Sequence, residues 1–133
     1  MDVIFDCNVL VSGLILRGDT TQKSWEKAKE KCRILMSEAS FEELTDVFLR
    51  PKFDKYLKLE TRIELITEVQ AITRFVIVHH SVNVCRDEDD NRYLELALSG
   101  KADCIITGDP DLKILNPFEN IPIISPKEFL ERY

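Results

Sequence analysis

Several features that mark common classes of protein are missing from this sequence. It has only four glycines, and they form no Gly-rich phosphate-binding loop. No two of its four cysteines have the CxxC spacing of zinc ribbons and redox motifs. The longest uncharged apolar run, residues 9–16, is interrupted by Ser12 and Gly13 and is too short to cross a bilayer. The sequence therefore gives no support for a nucleotide-binding loop, a zinc ribbon or a membrane span.

The composition is that of one folded domain. The chain has 133 residues, of which 44% are hydrophobic and 32% are charged, so it can bury a core without disulfides or a structural metal. It contains no linker, repeat or low-complexity stretch, which predicts a single domain over residues 1–133. Asp2 stands where a signal peptide would carry its basic region. We therefore expect a soluble, cytoplasmic protein with no membrane partner and with reduced cysteines.

Charge is distributed unevenly along the chain. The formal net charge is −6, which by itself argues against a nucleic-acid partner. Residues 17–33 and residues 50–58 nevertheless each carry a net charge of +3, whereas residues 86–111 hold eight acidic residues against three basic ones. Acidic side chains gathered in one segment repel one another, and a bound cation would relieve that repulsion. An ordinary solvated face is the alternative interpretation of any single charged segment.

Short apolar segments alternate with amphipathic ones, which predicts a parallel sheet in an α/β sandwich. Strands are predicted at residues 3–5, 33–36, 103–107 and 121–124, with further extended segments at 75–79 and 82–85. Helices are predicted at residues 20–32, from 37 or 40 to 50, at 60–75, at 90–99 and from 125 onwards. Gly100 is expected to close the fourth of these helices. Ser125 and Glu128 have the spacing of a capping box for the last one.

Four acidic residues are predicted to lie at one edge of this sheet. Sites in open α/β sheets form beyond the carboxyl ends of the strands. Asp6 and Asp109 each follow a strand, Glu43 lies near the start of the second helix, and Asp90 begins the helix at 90–99. Four converging carboxylates repel one another unless they hold a hard divalent cation such as Mg²⁺ or Mn²⁺. The sequence therefore predicts a divalent metal site at this edge.

Each of these acids also has a purely structural interpretation, and Asp6 at the end of a strand could simply lie in a solvated turn. Ser40 and Glu43 have the spacing of a capping box, in which the glutamate would accept a backbone N–H. Asp90 could serve only as a helix N-cap. Asp109, which precedes a proline, could only open a turn. These alternatives remain open at the level of the sequence.

The segments around the four acids resemble the motifs of PIN-domain ribonucleases. Asp6-Cys7-Asn8-Val9-Leu10 is similar to the family's opening Asp-Thr-Asn-Val-Leu, and residues 37–44 with 50–53 are similar to its second block. Residues 86–94, 107–112 and 124–130 resemble the third block, the fourth block and the closing strand and helix. The resemblance spans nearly the whole chain in the right order. It is greatest to the VapC-like subgroup, the toxin components of toxin–antitoxin pairs.

The resemblance implies a three-layer α/β/α sandwich with a central, mostly parallel sheet and a Mg²⁺ or Mn²⁺ site. The residues it implies are Asp6, Glu43, Asp90 and Asp109 for catalysis and metal binding, Asp111 as a further metal ligand, and Asn8, Asp87 and Thr107 in supporting positions. The third ligand is ambiguous because Asp89 adjoins Asp90, and Asp87 is the outside candidate. Cys7 replaces the family's usual threonine, so a hydroxyl that often supports the site is absent at that position.

The resemblance also implies an activity and its partners. It implies a metal-dependent endoribonuclease that hydrolyses phosphodiester bonds of single-stranded or structured RNA, acts as the toxin of a pair, binds a cognate antitoxin and forms a homodimer. The residues agree with hydrolysis assisted by a metal, because no Ser-His-Asp or Cys-His arrangement is available. The candidate contacts to the RNA backbone are Lys23, Lys27, Arg50 and Lys52.

Two other classes of function remain possible at this stage. The first is a catalytically silent PIN-like module that binds RNA or protein. The second is a phosphoacceptor receiver-type regulator, which has a similar length and fold. A receiver needs a pair of acids after its first strand and a lysine after its last, where this chain has Asn8 and Ser125.

Overall fold

All 133 residues are described by a computed structural model, which contains a five-stranded parallel sheet. Its strands are β1 (Asp2–Phe5), β2 (Arg33–Met36), β3 (Arg74–Phe75), β4 (Cys104–Ile106) and β5 (Ile123–Ile124). The strand order is β3-β2-β1-β4-β5, and every neighbouring pair is parallel. From β1 the chain adds β2 and then β3 on one side. It then crosses back and adds β4 and β5 on the other side of β1. A topological switch point therefore lies between β1 and β4.

Seven α-helices connect and cover these strands. They are α1 (Cys7–Leu10), α2 (Asp19–Lys31), α3 (Glu38–Phe48), α4 (Leu59–Ile72), α5 (Asn91–Gly100), α6 (Pro110–Lys113) and α7 (Pro126–Arg132). A π-helical segment at Val11–Ile15 continues α1, and short 3₁₀ turns occupy Pro51–Phe53 and Glu88–Asp90. None of the helices combines the length and the apolar character that crossing a membrane requires.

The sheet separates two hydrophobic clusters, which confirms the three-layer α/β/α architecture. Successive side chains of a strand point to opposite faces. Val3 and Phe5 of β1 accordingly pack with residues of α1, α2, α3, α4 and α7, and the ring of Phe5 meets that of Trp25 edge to face at 5.4 Å. Ile4 packs on the opposite face with residues of α5 and α6. Both faces of the central strand are thus buried, as its uninterrupted apolar sequence indicates.

The apolar side chains of α4 recur at helical spacing, but the protein buries only some of them. Ile66 and Val69 are buried, whereas Ile63 and Ile72 are exposed. The helix ends at Ile72 rather than at residue 75, and Phe75 lies in the edge strand β3, where it is also exposed. Helix α4 packs on α3, and only a narrow stripe of its surface is buried.

The prediction that Gly100 closes α5 as the residue after the helix was wrong. Gly100 is the last residue of α5, and Lys101 takes the left-handed conformation (φ 53°) expected of Gly100. A Cβ on Gly100 would stand 2.8 Å from Cδ1 of Leu35, so the glycine permits close packing of α5 on β2.

Residues 76–85 form no strand. Side chains of α5 accept the N–H groups of this segment instead: Glu95 accepts from Val82, and Asn91 accepts from Val84 and Cys85.

A buried arginine joins α3 to α4. Arg62 is fully buried, and its guanidinium donates to the carbonyl groups of Phe48 (2.7 Å), Arg50 (3.1 Å) and Leu57 (3.1 Å). It also forms an ion pair with Asp54. Arg62 therefore satisfies carbonyl groups at and beyond the end of α3 that the helix itself leaves without donors. The turn after α3 depends on these contacts of Arg62, and α3 is the helix that carries Glu43.

Candidate functional site

Asp6 and Asp109 lie on the two sides of the switch point. Asp6 directly follows β1, and its N–H donates to Ile106 of β4 at 3.2 Å. Asp109 follows β4 after two residues and begins α6. Because β1 and β4 are parallel neighbours, their carboxyl ends meet at one edge of the sheet. This is the edge where an open α/β fold forms its binding crevice.

The carboxylate of Asp6 is almost completely buried, with an exposed fraction of 3%. It accepts the N–H of Val9 at 2.9 Å, which caps α1, and a hydrogen bond from the hydroxyl of Thr107. Burial raises its pKa to about 6, an effect that these two hydrogen bonds oppose and the charges of Asp109 and Glu43 increase. The two hydrogen bonds thus fix the position of the Asp6 carboxylate, while burial makes its charged form less favourable.

Glu43 reaches the site from α3 and does not act as a helix cap. The capping box of α3 is made by Ser37 and Ser40, whose side chains each accept the other's backbone N–H. The carboxylate of Glu43 instead accepts a hydrogen bond from the hydroxyl of Tyr93. The Ser40–Glu43 capping interpretation is therefore wrong, because the helix begins three residues earlier than that box requires.

Asp90 is the acid of its segment that faces the others. Burial raises its pKa to about 7, with further contributions from Asp109, Asp87 and Asp6. It stands at the start of α5 but accepts no hydrogen bond from that helix. Asp89 forms an ion pair with Arg92 at 3.2 Å, and Asp87 accepts the N–H of Asp89 at 3.0 Å. The latter two acids are both exposed, so Asp90 is the one placed to interact with Asp6.

The remaining predicted positions differ in their surroundings. Asp109 is half-buried and caps α6 by accepting the N–H of Asp111 at 2.9 Å, while its own N–H donates to Thr107 at 3.0 Å. Thr107 is fully buried and hydrogen-bonds to both Asp6 and Asp109. Asp111 is half-buried in the first turn of α6. Asn8 is exposed in α1 beside Asp6.

Tyr93, on the apolar face of α5, is a site residue that the sequence did not predict. The hydroxyl of Tyr93 accepts the N–H of Cys7 at 3.0 Å and donates to Glu43. Burial, followed by the nearby charge of Glu43, raises the pKa of Tyr93, so this phenol stays protonated. The signal available in the sequence was a hydroxyl within an otherwise apolar stripe three residues after Asp90.

The donor set fits a hard divalent cation by its chemistry. Asp6, Glu43, Asp90 and Asp109 offer only carboxylate oxygens, which Mg²⁺ and Mn²⁺ prefer. Mutual repulsion contributes to the raised pKa values of Asp6 and Asp90. No three His, Cys, Asp or Glu side chains stand within ligand geometry of one another, so binding an ion would draw the carboxylates closer together. The pKa of the adjacent Cys7 thiol is raised to about 12, first by burial and then by Glu43 and Asp6, which makes a thiolate ligand unfavourable.

The four basic residues proposed for RNA contact have different surroundings. Lys23 pairs with Asp19 at 3.2 Å on the exposed face of α2. Lys27 donates to the carbonyl of Leu130 at 3.3 Å and lies over the ring of Phe129, so it joins α2 to α7.

The other two basic residues follow α3. Arg50 pairs with Asp46 at 3.1 Å, and Lys52 lies 5.1 Å from the centre of the Phe53 ring. Arg50 and Arg92 both act to lower the pKa of the Cys7 thiol. The charges of these two arginines thus act on Cys7, the residue that follows Asp6.

A groove of about 650 Å³ adjoins the site on the side of Asp109. Its lining includes Asn8, Ser12, Thr21, Asp109 and Lys127, and the hydroxyl groups of Ser12 and Thr21 hydrogen-bond to each other at 3.0 Å. Lys127 is exposed and forms no ion pair, so its charge is available to a ligand in the groove. The sequence did not predict a role for Lys127, because it is one lysine within a capping motif and only the fold brings α7 beside Asp109.

The chain matches a known protein family. The PIN-domain family profile matches residues 2–111, and the chain belongs to that family. The uncharacterized protein MJ1680 of Methanocaldococcus jannaschii is 35% identical over 143 aligned positions, which cover 98% of this chain and 90% of the relative.

Solved structures share the fold at lower sequence identity. VapBC2 from Rickettsia felis, bound to a DNA fragment from its promoter, has a TM-score of 0.66 at 13% identity and covers 94% of this chain and 98% of its own. PAE2754 from Pyrobaculum aerophilum has a TM-score of 0.66 at 16% identity, with coverages of 99% and 88%. VapBC-1 from nontypeable Haemophilus influenzae has a TM-score of 0.63 at 14% identity, with coverages of 96% and 99%. At these identities the likeness shows the fold alone.

Proposed function

We propose that this PIN-domain protein is a Mg²⁺- or Mn²⁺-dependent endoribonuclease and the toxin of a toxin–antitoxin pair. One observation carries the proposal: Thr107 hydrogen-bonds to both Asp6 and Asp109 at the switch point of the sheet. The charges of Asp109 and Glu43 add to the effect of burial on the pKa of Asp6, and those of Asp109 and Asp6 add to the effect of burial on the pKa of Asp90. Perturbed acids gathered in a crevice are characteristic of functional sites. A receiver-type regulator would instead need a lysine after the last strand, where Ser125 caps α7.

The four acids would hold the cation, with Asp111 as a further oxygen donor and Asn8 at the mouth of the site. When bound, the cation would polarise a phosphodiester oxygen and lower the pKa of a coordinated water. The chain's own residues prepare the site. Thr107 and the N–H of Val9 orient the two oxygens of Asp6. The burial of Asp6 reduces competition from bulk water for those oxygens.

The groove beside Asp109 is the path we assign to the RNA strand. A bound metal would supply positive charge at the acids, and Lys127 would bind an adjacent phosphate in the groove. Arg50, which pairs with Asp46, carries its charge near Cys7 on the side of α3. Lys23 pairs with Asp19, Lys27 contacts Leu130 and Phe129, and Lys52 lies over the ring of Phe53. We therefore assign these three lysines smaller contributions to RNA binding. A single strand fits this path better than a duplex, because its backbone can bend into a crevice.

The proposed protein partners are an antitoxin and a second copy of the chain. The fold is that of proteins solved as VapBC complexes. The surface also carries large apolar side chains that a partner could cover, namely Tyr56, Ile63, Ile72, Phe75 and Ile77. We place the protein in the cytoplasm, because its four cysteines are free.

Cleavage of a labelled, largely single-stranded RNA by the purified protein tests the proposed activity. Cleavage should require Mg²⁺ or Mn²⁺, stop with EDTA, and leave 5′-phosphate and 3′-hydroxyl ends. Asp6→Asn should lower the rate by at least about 100-fold, because it removes a charge that holds the cation. Glu64→Gln, which changes an exposed glutamate of α4 that forms no ion pair, is the control and should cleave at the rate of the unchanged protein.

Two results would overturn the activity. One is cleavage that resists EDTA. The other is equal cleavage by the Asp6→Asn variant, which would indicate a contaminating nuclease. Binding of RNA without cleavage under any divalent cation would favour the silent RNA-binding module instead.

A further inference from the structure

Tyr93 carries a hydroxyl into the most apolar part of α5. Its side chain is 2% exposed, and the neighbouring Leu94 and Ala97 are fully buried. A phenylalanine would fill nearly the same volume without bringing a polar group into the core. Burying a hydroxyl costs free energy unless it finds hydrogen-bond partners. The partners of this hydroxyl therefore indicate what the tyrosine contributes.

Both partners belong to the candidate site. The hydroxyl accepts the N–H of Cys7 at 3.0 Å and donates its own proton to Glu43. The N–H of Cys7 belongs to the first turn of α1, where a helix leaves its amide groups without partners. Cys7 also directly follows Asp6. One hydroxyl on α5 thus connects the backbone next to Asp6 with the carboxylate of Glu43 on α3.

This connection limits the freedom of a flexible side chain. Glu43 is only half-buried, and a glutamate otherwise has several rotamers to choose from. We propose that Tyr93 is a positioning residue of the metal site, whose hydroxyl holds the Glu43 carboxylate toward Asp6 before the cation arrives. The inference rests on the proposed function, because it assigns Tyr93 a role at that same site. Tyr93 on α5 thus fixes the position of Glu43, the proposed metal ligand that α3 carries.

A second explanation would limit Tyr93 to the N–H of Cys7. In that case its loss would weaken the start of α1 whether or not residue 43 is a glutamate. Under the positioning role, the effect of removing the hydroxyl depends on Glu43 being present. A double-mutant cycle separates these two explanations, because it measures whether one change alters the effect of the other.

The experiment measures Mn²⁺ binding by calorimetry in the absence of RNA. It compares the unchanged protein, Tyr93→Phe, Glu43→Ala and the double variant, with Tyr56→Phe as the control that removes an exposed hydroxyl. Tyr93→Phe should weaken Mn²⁺ binding by about 10- to 100-fold, as is typical when the partner of a metal ligand is lost. In the Glu43→Ala background the same change should weaken binding by less than about 2-fold, and Tyr56→Phe should have no effect. Equal losses in both backgrounds would overturn the positioning role.

A measurement on the unsubstituted chain covers the case in which a variant does not fold. The chain has three tyrosines, so labelling with 3-fluorotyrosine gives three ¹⁹F signals. The Tyr93 signal should shift when Mg²⁺ is added, while the signals of the exposed Tyr56 and Tyr133 stay unchanged. The inference would be overturned if the Tyr93 signal did not shift at a Mg²⁺ concentration that raises the melting temperature of the protein.

The failure of the inference can be distinguished from the failure of the proposed function. If the unchanged protein binds Mn²⁺ and the Tyr93→Phe variant binds it equally well, the positioning role is overturned and the proposed activity stands. If the unchanged protein binds neither Mn²⁺ nor Mg²⁺, the metal-dependent activity is overturned and the positioning role falls with it.

Discussion

The hydroxyl of Thr107 donates to the carboxylate of Asp6 and accepts the N–H of Asp109 at 3.0 Å. One fully buried side chain thus joins the acids that follow the two strands flanking the switch point. A hydrogen bond to a charged group is stronger than one between neutral groups. The hydrogen bond from Thr107 opposes the effect of burial on the pKa of Asp6, so it helps to keep that carboxylate charged.

Removing this hydroxyl should weaken both the fold and the metal site. Thr107→Val keeps the shape of the side chain but leaves a buried carboxylate without one partner, which should cost about 1–3 kcal/mol of unfolding free energy at neutral pH. It should also raise the pKa of Asp6 further. Thr107→Ser, which retains the hydroxyl, is the control. Urea denaturation measures the difference, and a valine variant as stable as the serine variant would contradict the prediction.

The stability of the metal-free protein should increase as the pH falls from about 8 to about 5. The pKa values of Asp6 (about 6) and Asp90 (about 7) lie above the value of about 3.9 expected in the unfolded chain. Over this range the folded state takes up protons that the unfolded state does not, and linkage then favours folding. The gain should level off near pH 4, where the unfolded chain is protonated too. Melting temperatures in EDTA across this range test the prediction.

Two variants identify the groups responsible for this pH dependence. The double variant Asp6→Asn, Asp90→Asn should lose most of it, because neither amide titrates. The variant Asp89→Asn should keep it, because Asp89 is exposed and pairs with Arg92 instead of the other acids. Unchanged pH dependence in the double variant would assign the effect to other groups.

Millimolar Mg²⁺ or Mn²⁺ should raise the melting temperature at pH 7. A ligand that binds only the folded state stabilises it by RT ln(1 + [L]/Kd), which is about 2.7 kcal/mol at 100 times Kd. Asp109→Asn should raise the metal-free stability by removing one repelling charge and should abolish the response to the ion. Asparagine caps helices as well as aspartate does, so the start of α6 is preserved. If neither ion changes the melting temperature, the four acids do not form a metal site.

Lys127 should contribute to RNA affinity and not to the chemical step. Lys127→Ala should raise KM for RNA several-fold, leave kcat nearly unchanged and reduce the slope of log K against log salt by about one unit. Lys31→Ala, at the exposed end of α2, is the matched control. Binding measured in the Asp6→Asn background avoids cleavage during the titration. Identical salt slopes for the unchanged protein and Lys127→Ala would remove Lys127 from the RNA path.

Arg62 should be essential for stability although it lies outside the site. Arg62→Met should lower the unfolding free energy by about 3–5 kcal/mol, because the carbonyl groups of Phe48 and Leu57 lose the guanidinium donor and Asp54 loses its partner. The carbonyl of Arg50 loses the guanidinium too but keeps the N–H of Phe53 at 3.1 Å. Asp54→Asn should cost no more than about 1 kcal/mol, since Asp54 is largely exposed. Denaturant titration compares the two variants. Similar losses for both would assign the stabilisation to the ion pair and not to the carbonyl groups.

The elements whose signals are local agree with their sequence-based predictions. Strand β1 follows from an uninterrupted apolar run, and α7 follows from Ser125, Pro126 and Glu128, which form the capping box observed. The start of α3 was left open between Ser37 and Ser40, because both residues favour an N-cap. Only the hydrogen bonds of the structure show that Ser37 is the cap and Ser40 its partner. That result in turn leaves Glu43 free to reach the site.

Other features depend on contacts that are distant in the sequence. The periodicity of α4 could not indicate that Ile63 and Ile72 are exposed, because an apolar stripe does not reveal how much of it a neighbouring layer covers. Gly100 looked like a helix terminator and is instead a close contact with Leu35 on β2. In both cases the deciding contact comes from another element.

The sequence by itself determined the alternation of strands and helices and the positions of Asp6, Glu43, Asp90 and Asp109, because these depend on local apolar runs and on motifs at fixed spacing. Only the tertiary structure decided how the acids are held. Thr107 bonds to Asp6 across 101 residues of sequence, and Tyr93 bonds to Glu43 across 50. Hydrogen bonds of this kind leave no periodic pattern in the chain, since they form only when strand order and helix packing bring distant side chains within about 3 Å of one another.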